Sequence, residues 1–384
     1  MSIKSTDKQY IAPTYKRFDI AIVKGKGALC WDDNGKEYID MTSGIGVNAF
    51  GYSDPDWAEA VCEQAKLLQH TSNLYYTAPC AELAEILCTR TGMSKVFFGN
   101  SGAEANECAV KIARKYAAEH KGAEYYNIIT FRKSFHGRTL TTLAATGQDG
   151  FHSLFTPLTE GFLYADAEDI GGFERLIREN KVAGVLLEVV QGEGGVNVMS
   201  EDFLKAVEKI CADNDIIFMI DEVQTGNGRT GALYSYMNAD LHPDVVTTAK
   251  GLAAGLPMGA CLMNEKTAGV LSCGDHGSTF GGNPVCAAAA ISVLERMDEA
   301  FLAEVRNKGA YIRERLTGAG FEVSGMGLMV GVTTDKPVAE VIASCMQNGV
   351  LCLSAKDKLR LLPPLNIDRD QLEKAMDVII DALS

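Results

Sequence analysis

Short, continuous apolar runs alternate along the chain with longer stretches whose apolar residues recur every third or fourth position. The runs are "KVFFG" (95–99), "NIITF" (127–131), "GVLLEVV" (184–190), "IIFMID" (216–221), "DVVTTA" (244–249) and "GACLM" (259–263). Runs without polar alternation predict strands covered on both faces, as in parallel sheets. The stretches 103–120 and 201–213 predict helices; in the first, Ala105, Ala109, Ile112, Ala113 and Tyr116 share one face. Such alternation argues for an α/β fold with a mostly parallel sheet flanked by helices. Upstream, "ALCWDDNGKEYIDMTSG" (28–44) reads as a hairpin turning at Asp33-Asn34-Gly35. Downstream, "GGNPVCAAAAISVLERM" (281–297) predicts one long Ala-rich helix, followed by a smaller α+β domain.

Composition narrows the function classes. A chain of 384 residues is too long for one simple core, so two domains are expected. The longest apolar stretches are too short to span a bilayer. The start, "MSIKSTDKQYIAPTYKR", has neither the apolar core nor the cleavage pattern of a secretory signal. A net charge of −14 with no basic block argues against nucleic acid and anionic membranes as partners. The 11 cysteines are odd in number, scattered and free of C-x-x-C pairs, which predicts small core residues in a reducing cytoplasm. The six histidines form no ligand pattern, and no metal is expected.

Candidate chemistry begins where "IIFMID" runs into Asp221-Glu222. Two carboxylates at the end of a buried strand are costly unless something cationic meets them. A Mg²⁺-nucleotide site would need a G-x-x-x-x-G-K-[ST] loop, and Gly25-Lys26 and Gly35-Lys36 are followed by Gly27 and Glu37. The segment Gly226-Asn227-Gly228-Arg229-Thr230-Gly231 fits the dinucleotide pattern G-x-G-x-x-G. It neither follows a strand directly nor opens a good helix, and its carboxylate neighbours would repel a pyrophosphate. It reads as a tight turn beside the site.

Five further motifs follow, and several have an ordinary reading beside the chemical one. Lys250 follows an apolar run among Ala249, Gly251, Ala253, Ala254 and Gly255. It reads either as a surface lysine or as an amine of lowered pKa, ready for a Schiff base. "NSGAEANE" opens a helix that Ser101 or Asn100 caps, with Gly102 and Ala103 offering free N–H groups to an anion. Phe135 and Arg138 in "FHGRTL" are a core ring and a surface cation, or a stacking plate and a carboxylate fork. Glu188 and Glu193 end a third buried run, and "GDHGSTFGGNP" offers hydroxyls at Ser278 and Thr279. Pyridoxal 5′-phosphate (PLP) would use these groups together. Its phosphate suits Gly102 and Ala103, its ring suits Phe135, its aldehyde suits Lys250, and its protonated ring nitrogen is the cation for Asp221.

These motifs, with "GIGVNAFG", "QGEGGV", "DEVQTGNGRTG" and "AKG", resemble the class III (ornithine-type) aminotransferases of PLP fold type I, most of all their acetylornithine branch. The resemblance runs from about Pro13 to Leu365. It implies an N-terminal segment (1–48) joined to the small domain, a large PLP-binding domain (49–281), and a long helix with the C-terminal small domain (282–384). It implies that Lys250 carries the cofactor and Asp221 pairs with the ring nitrogen. Gln224 would reach the ring hydroxyl, with Ser101, Gly102, Ala103, Phe135, Glu188 and Val223 completing the cofactor site. Thr279 would join the phosphate site from the neighbouring subunit, which implies a homodimer with shared active sites. Arg138 and Arg360 would bind substrate carboxylates, with Ser278 near the substrate. Glu193 would gate Arg360, so that one site takes both an amino donor and 2-oxoglutarate. The implied donor is N²-acetyl-L-ornithine, with succinylornithine, ornithine, 4-aminobutyrate and acetylated lysine or diaminopimelate-type amines as alternatives. The chain departs from the family pattern at Val189, where "EP" is usual, and at "GYSDP" (51–55), where "GHxHP" is usual. Ile45 stands where ornithine aminotransferases are expected to have tyrosine, which favours an acylated donor.

Overall fold

The computed structural model describes residues 2–384. Seven strands form the central sheet in the order Lys95–Gly99, Gly259–Met263, Val245–Thr248, Ile217–Asp221, Val182–Leu187, Asn127–Phe131, Phe162–Ala165. Neighbours are parallel except for Gly259–Met263, which runs antiparallel to both strands beside it. Every residue of Val182–Leu187, Ile217–Asp221, Val245–Thr248 and Gly259–Met263 is buried. Helices cover both faces of these strands, so no position needed to be polar. The helix Gly102–His120 covers one face with Ala105, Ala109, Ile112, Ala113 and Tyr116, all buried.

Two expected elements are shorter than their apolar patterns. The run 184–190 stops being a strand at Leu187, and Val190–Gln191 pairs instead with Asn197–Val198. The cause lies between them. The Glu188 carboxylate accepts the backbone N–H groups of Phe135 (2.9 Å) and Gly192 (3.4 Å), which draws the chain out of the sheet. The Ala-rich helix spans Pro284–Leu294 rather than 281–297. Pro284 stands in its first turn, where the missing N–H costs nothing, and the Asn283 side chain accepts from Val285 and Cys286. At its other end Arg90 donates to the Leu294 and Met297 carbonyls, and Asp298 caps a new helix, Glu299–Gly318.

The hairpin forms as Leu29–Asp32 and Glu37–Asp40. Val350–Leu351 adds to it in parallel, so the N-terminal hairpin is bound to the C-terminal part of the chain. Beside it lies a second sheet of Val323–Met326, Met329–Val332, Lys358–Leu361 and Leu353–Ala355. The "GYSDP" departure serves local structure here. Asp54 caps the helix Pro55–Leu67 by accepting from Trp57 N–H (3.0 Å), while the Tyr52 ring packs on Gly25, where a Cβ would meet its Cγ at 2.4 Å. The 11 cysteines are all unpaired and six are buried: Cys30, Cys108, Cys211, Cys261, Cys345 and Cys352. No described helix is long and apolar enough to cross a membrane.

Candidate active site

A cavity of about 440 Å³ opens at the carboxyl edge of the central sheet. Each parallel strand in its wall delivers a segment as it ends: Asn100–Ala103, Phe135–Arg138, Glu188, Val223–Gln224 and Ala249–Lys250. The antiparallel strand begins at this edge, so it contributes the residues before it, Gly255–Met258. This is the position at which ligands sit in open α/β sheets.

Asp221 is held on three sides. Its Oδ1 accepts Val223 N–H (2.9 Å), and its Oδ2 meets Asn106 Nδ2 (2.8 Å) and His136 Nδ1 (2.8 Å). Thr247 Oγ1 donates to Asn106 Oδ1 at 2.6 Å, which turns the amide's N–H₂ toward Asp221. Buried His136 then presents an Nε2 with no partner. Glu222 corrects the expectation that both carboxylates need a cation. It faces away into the core and accepts Thr225 Oγ1–H (2.5 Å), Ser235 Oγ–H (2.6 Å) and Tyr236 N–H (2.9 Å). Burial pushes its carboxyl pKa up, and these donors oppose that rise without any cation.

Lys250 follows Val245–Thr248 with φ +43°, a left-handed conformation that leaves its side chain in the cavity wall. Burial pushes its ammonium pKa down, while the carboxylates of Glu193, Asp221 and Glu188 act in the other direction. Glu188 has the opposite shift: burial raises its carboxyl to about 7. An amine and an acid that both lean toward neutrality therefore share one apolar-walled site.

Opposite them starts the helix Gly102–His120. Ser101 caps it by accepting Glu104 N–H (3.2 Å), and Glu104 reaches back to Asn100 N–H (2.9 Å). The Gly102 and Ala103 N–H groups have no partner one turn back and lie at the positive end of the helix dipole. Gly102 is packed so tightly on Val223 that a Cβ would lie 2.7 Å from Val223 Cγ1. Phe135 lines the same cavity, and the Arg138 guanidinium lies 5.4 Å from its ring centre and 4.3 Å from that of Phe151.

Behind the cavity, Arg360 Nη1 contacts Glu193 Oε1 at 2.6 Å. Burial pushes the Glu193 carboxyl up, but the Arg360 charge and hydrogen bonds outweigh that and hold it below the usual range. Gln224, expected at the ring hydroxyl, engages both ends of its amide here: Nε2 with Glu193 (3.2 Å) and Oε1 with Arg360 (3.1 Å). Ser278 and Thr279 do not line this cavity. They border a second one of about 460 Å³, with His70, Tyr75, Tyr76 and Phe98. Ser278 is tied to the first site through Asn100, whose Nδ2 donates to its Oγ (2.9 Å).

His136 and Asn106, the partners of Asp221, were not among the expected site residues. Their signals were a histidine directly after the stacking phenylalanine and a lone amide on an otherwise apolar helix face, 1% exposed. The residues present fit PLP. Unpaired helix-start amides suit a phosphate, and the Phe135 ring and Val223 in the cavity lining suit a flat ring. Asp221, ringed by donors, suits a ring N–H⁺, and a buried amine suits an aldehyde.

The chain matches the family model for class-III aminotransferases over residues 10–383. It is 51% identical to an acetylornithine aminotransferase of Haemophilus ducreyi, covering 100% of this chain and 98% of that protein. A second, from Aquifex aeolicus, is 44% identical over 97% of this chain and 100% of its own length. Among solved structures, the ornithine aminotransferase of Toxoplasma gondii superposes with a TM-score of 0.95 at 33% identity, covering 99% and 94% of the two chains. The N-acetylornithine aminotransferase of Stenotrophomonas maltophilia does so with a TM-score of 0.85 at 36% identity, covering 98% and 97%.

Proposed function

The chain belongs to the class-III aminotransferases, a PLP-dependent family, and from that premise we propose that it moves an amino group from N²-acetyl-L-ornithine to 2-oxoglutarate. The products are N-acetyl-L-glutamate 5-semialdehyde and L-glutamate, a step of arginine biosynthesis, carried out in the cytoplasm by a homodimer. The observation that carries this reading is a single cavity in which Lys250 and Asp221 face the start of the helix Gly102–His120, within a chain similar end to end to acetylornithine aminotransferases.

Bound PLP supplies an aldehyde that takes the donor's amine and a ring that withdraws electrons from the adjacent carbon. The Gly102 and Ala103 amides hold its phosphate, with Ser101 capping the helix behind them, and Thr279 of a second copy completes the phosphate site. Phe135 and Val223 fix the ring plane. Asp221, oriented by His136 and Asn106, keeps the ring nitrogen protonated. Lys250 Nζ, which burial pushes toward the neutral amine, would be the base that moves the proton from the donor's amine-bearing carbon to the cofactor carbon on the far side of the shared nitrogen. A positioned base of this kind contributes about 10²–10⁴-fold. Arg138 binds the donor's carboxylate. Glu193 neutralises Arg360 while acetylornithine is bound and releases it to 2-oxoglutarate, which carries a second carboxylate.

The test is the visible spectrum of the purified holoenzyme before and after acetylornithine alone. Loss of the yellow pyridoxal band and growth of the pyridoxamine band support the donor. A yellow band that does not respond leaves the cofactor and removes acetylornithine. The fold match to an ornithine aminotransferase gives a specific second reading, free ornithine as donor. It predicts conversion by ornithine in the same cuvette, with acetylornithine inert.

A further inference from the structure

The glycine-rich segment Gly226–Gly231 has no role in the reading above, yet two of its polar side chains, Asn227 and Arg229, reach segments that border the site. Asn227 is buried, and its Nδ2 donates to Thr248 Oγ1 (2.9 Å) and to the Ala249 carbonyl (3.0 Å), the residues that lead into Lys250. A Cβ built on Gly251 would lie 3.2 Å from Asn227 Cβ, so the lysine turn is packed against the same side chain. Arg229 is 2% exposed, and no carboxylate lies within ion-pair distance of it among the described residues. Its guanidinium donates instead to the Leu328 carbonyl (3.2 Å), the Pro363 carbonyl (2.5 Å) and Ser43 Oγ (3.2 Å).

Those three contacts are on segments far apart in the chain. Pro363 ends the stretch that begins at Arg360. Ser43 begins a turn in which Ser43, Gly44, Ile45 and Gly46 all have positive φ, +43°, +65°, +65° and +77°. A left-handed turn that includes a β-branched residue is strained and persists only where its surroundings hold it. The holders are visible. Asp40 Oδ1 accepts Ser43 N–H (3.2 Å) and Thr42 Oγ1–H (2.6 Å), Ser43 Oγ donates to the Leu362 carbonyl (2.6 Å), and Arg229 closes the far side. The turn leads directly into Val47, which lines the cavity.

We propose that Asn227 and Arg229 are positioning residues that hold three walls of the site in register: the Lys250 turn, the strained turn before Val47, and the segment of Arg360. The two side chains divide this task. Asn227 sets the lysine, and Arg229 sets the substrate-facing walls. A buried guanidinium directed at backbone carbonyls fixes distance and plane through its rigid fork, which an ammonium cannot reproduce.

The inference rests on the aminotransferase reading, so wild-type protein is assayed first with acetylornithine and 2-oxoglutarate. An inactive wild type counts against that reading and not against the positioning role of Asn227 and Arg229. The variants are Asn227→Ala, Arg229→Lys and Ser43→Ala, the last being small enough to leave the fold. Asn227→Ala is expected to lower kcat of the donor half-reaction by about tenfold to a hundredfold with KM little changed. Arg229→Lys and Ser43→Ala are expected to raise KM for donor and for 2-oxoglutarate with a smaller change in kcat. Hydrogen exchange on the cofactor-free proteins gives a readout independent of turnover. Amides of 248–252 should exchange faster in Asn227→Ala only, and those of 43–47 and 361–365 faster in the other two. A uniform rise in exchange with unaltered kcat and KM in all three variants would overturn the proposal and leave the loop as scaffold. If Arg229→Lys does not fold, Ser43→Ala with wild-type KM and wild-type exchange at 43–47 overturns its half.

Discussion

Asp221 and Glu222 are adjacent, equally buried and chemically alike, yet only one faces the cavity. The strand's alternation sends Asp221 toward Asn106 and His136, and Glu222 into a cage of hydroxyls. Replacing Asp221 by Ala should weaken PLP retention and slow donor conversion by at least about tenfold, measured by absorbance titration and single-turnover rates. Lys250→Ala should abolish turnover, a loss of about 10²–10⁴-fold or more, while circular dichroism shows the fold retained. Glu188 offers a stability test. Its folded-state pKa of about 7 lies above the ordinary 4.5, so it supports the fold fully below pH 4.5 and loses that contribution as pH rises through 7. In Glu188→Gln that loss should vanish. Thermal midpoints of wild type and variant, compared between pH 5 and pH 8, should shift in the variant's favour as pH rises. At this scale Lys250, Asp221, Phe135 and the Gly102-Ala103 pair were legible because each sits at a break between an apolar run and its next element. His136 and Asn106 were not, because their meaning lies in a carboxylate more than eighty residues away in sequence, reached through contacts at 2.8 Å.

Elements were legible wherever burial alone decides them. The unbroken runs at Val182–Leu187 and Ile217–Asp221 could hardly be anything but covered strands. Direction was not legible: nothing within "GACLM" says that it runs antiparallel. Nor was the closeness at Gly259, where a Cβ would lie 2.2 Å from the Ser101 carbonyl. The strand start must pass close under the cap of the helix Gly102–His120, a demand that appears only in three dimensions. Element ends were misjudged where one polar side chain overrides an apolar pattern, as Glu188 and Arg90 do. The same close packing yields a prediction for the helix start. Gly102→Ala places a methyl group 2.7 Å from Val223 Cγ1, so either the helix or the Val223 turn must shift. Its expected result is PLP affinity reduced about tenfold or more, read by titrating the cofactor-free protein.

At the scale of the whole molecule, Thr279 lies outside the cavity that contains Lys250, beside exposed Tyr75, Tyr76 and Phe280. If a second copy supplies it, two inactive chains should repair each other. Lys250→Ala and Thr279→Asp proteins, unfolded and refolded together, should regain activity, since one site of each mixed dimer combines an intact lysine with an intact threonine. Mixtures as inactive as their parents would remove the shared site. The overall α/β layout was readable from the alternation of runs. That the N-terminal segment joins the C-terminal part was expected only through the family resemblance, because strand pairing over such a separation, here with Val350–Leu351, leaves no local trace.

The cavity's wall begins at Val47 and ends at Met258, and the Arg360–Glu193 pair closes it from behind. A chain emerging from the ribosome can therefore fold its central strands and expose the lysine well before the last wall exists. Until Arg360 is made, Glu193 lacks its ion-pair partner and keeps only the Gln224 amide as a donor. A chain cut short before this arginine would keep every cavity-lining residue from Val47 to Met258 and lack the cation assigned to the second carboxylate of 2-oxoglutarate.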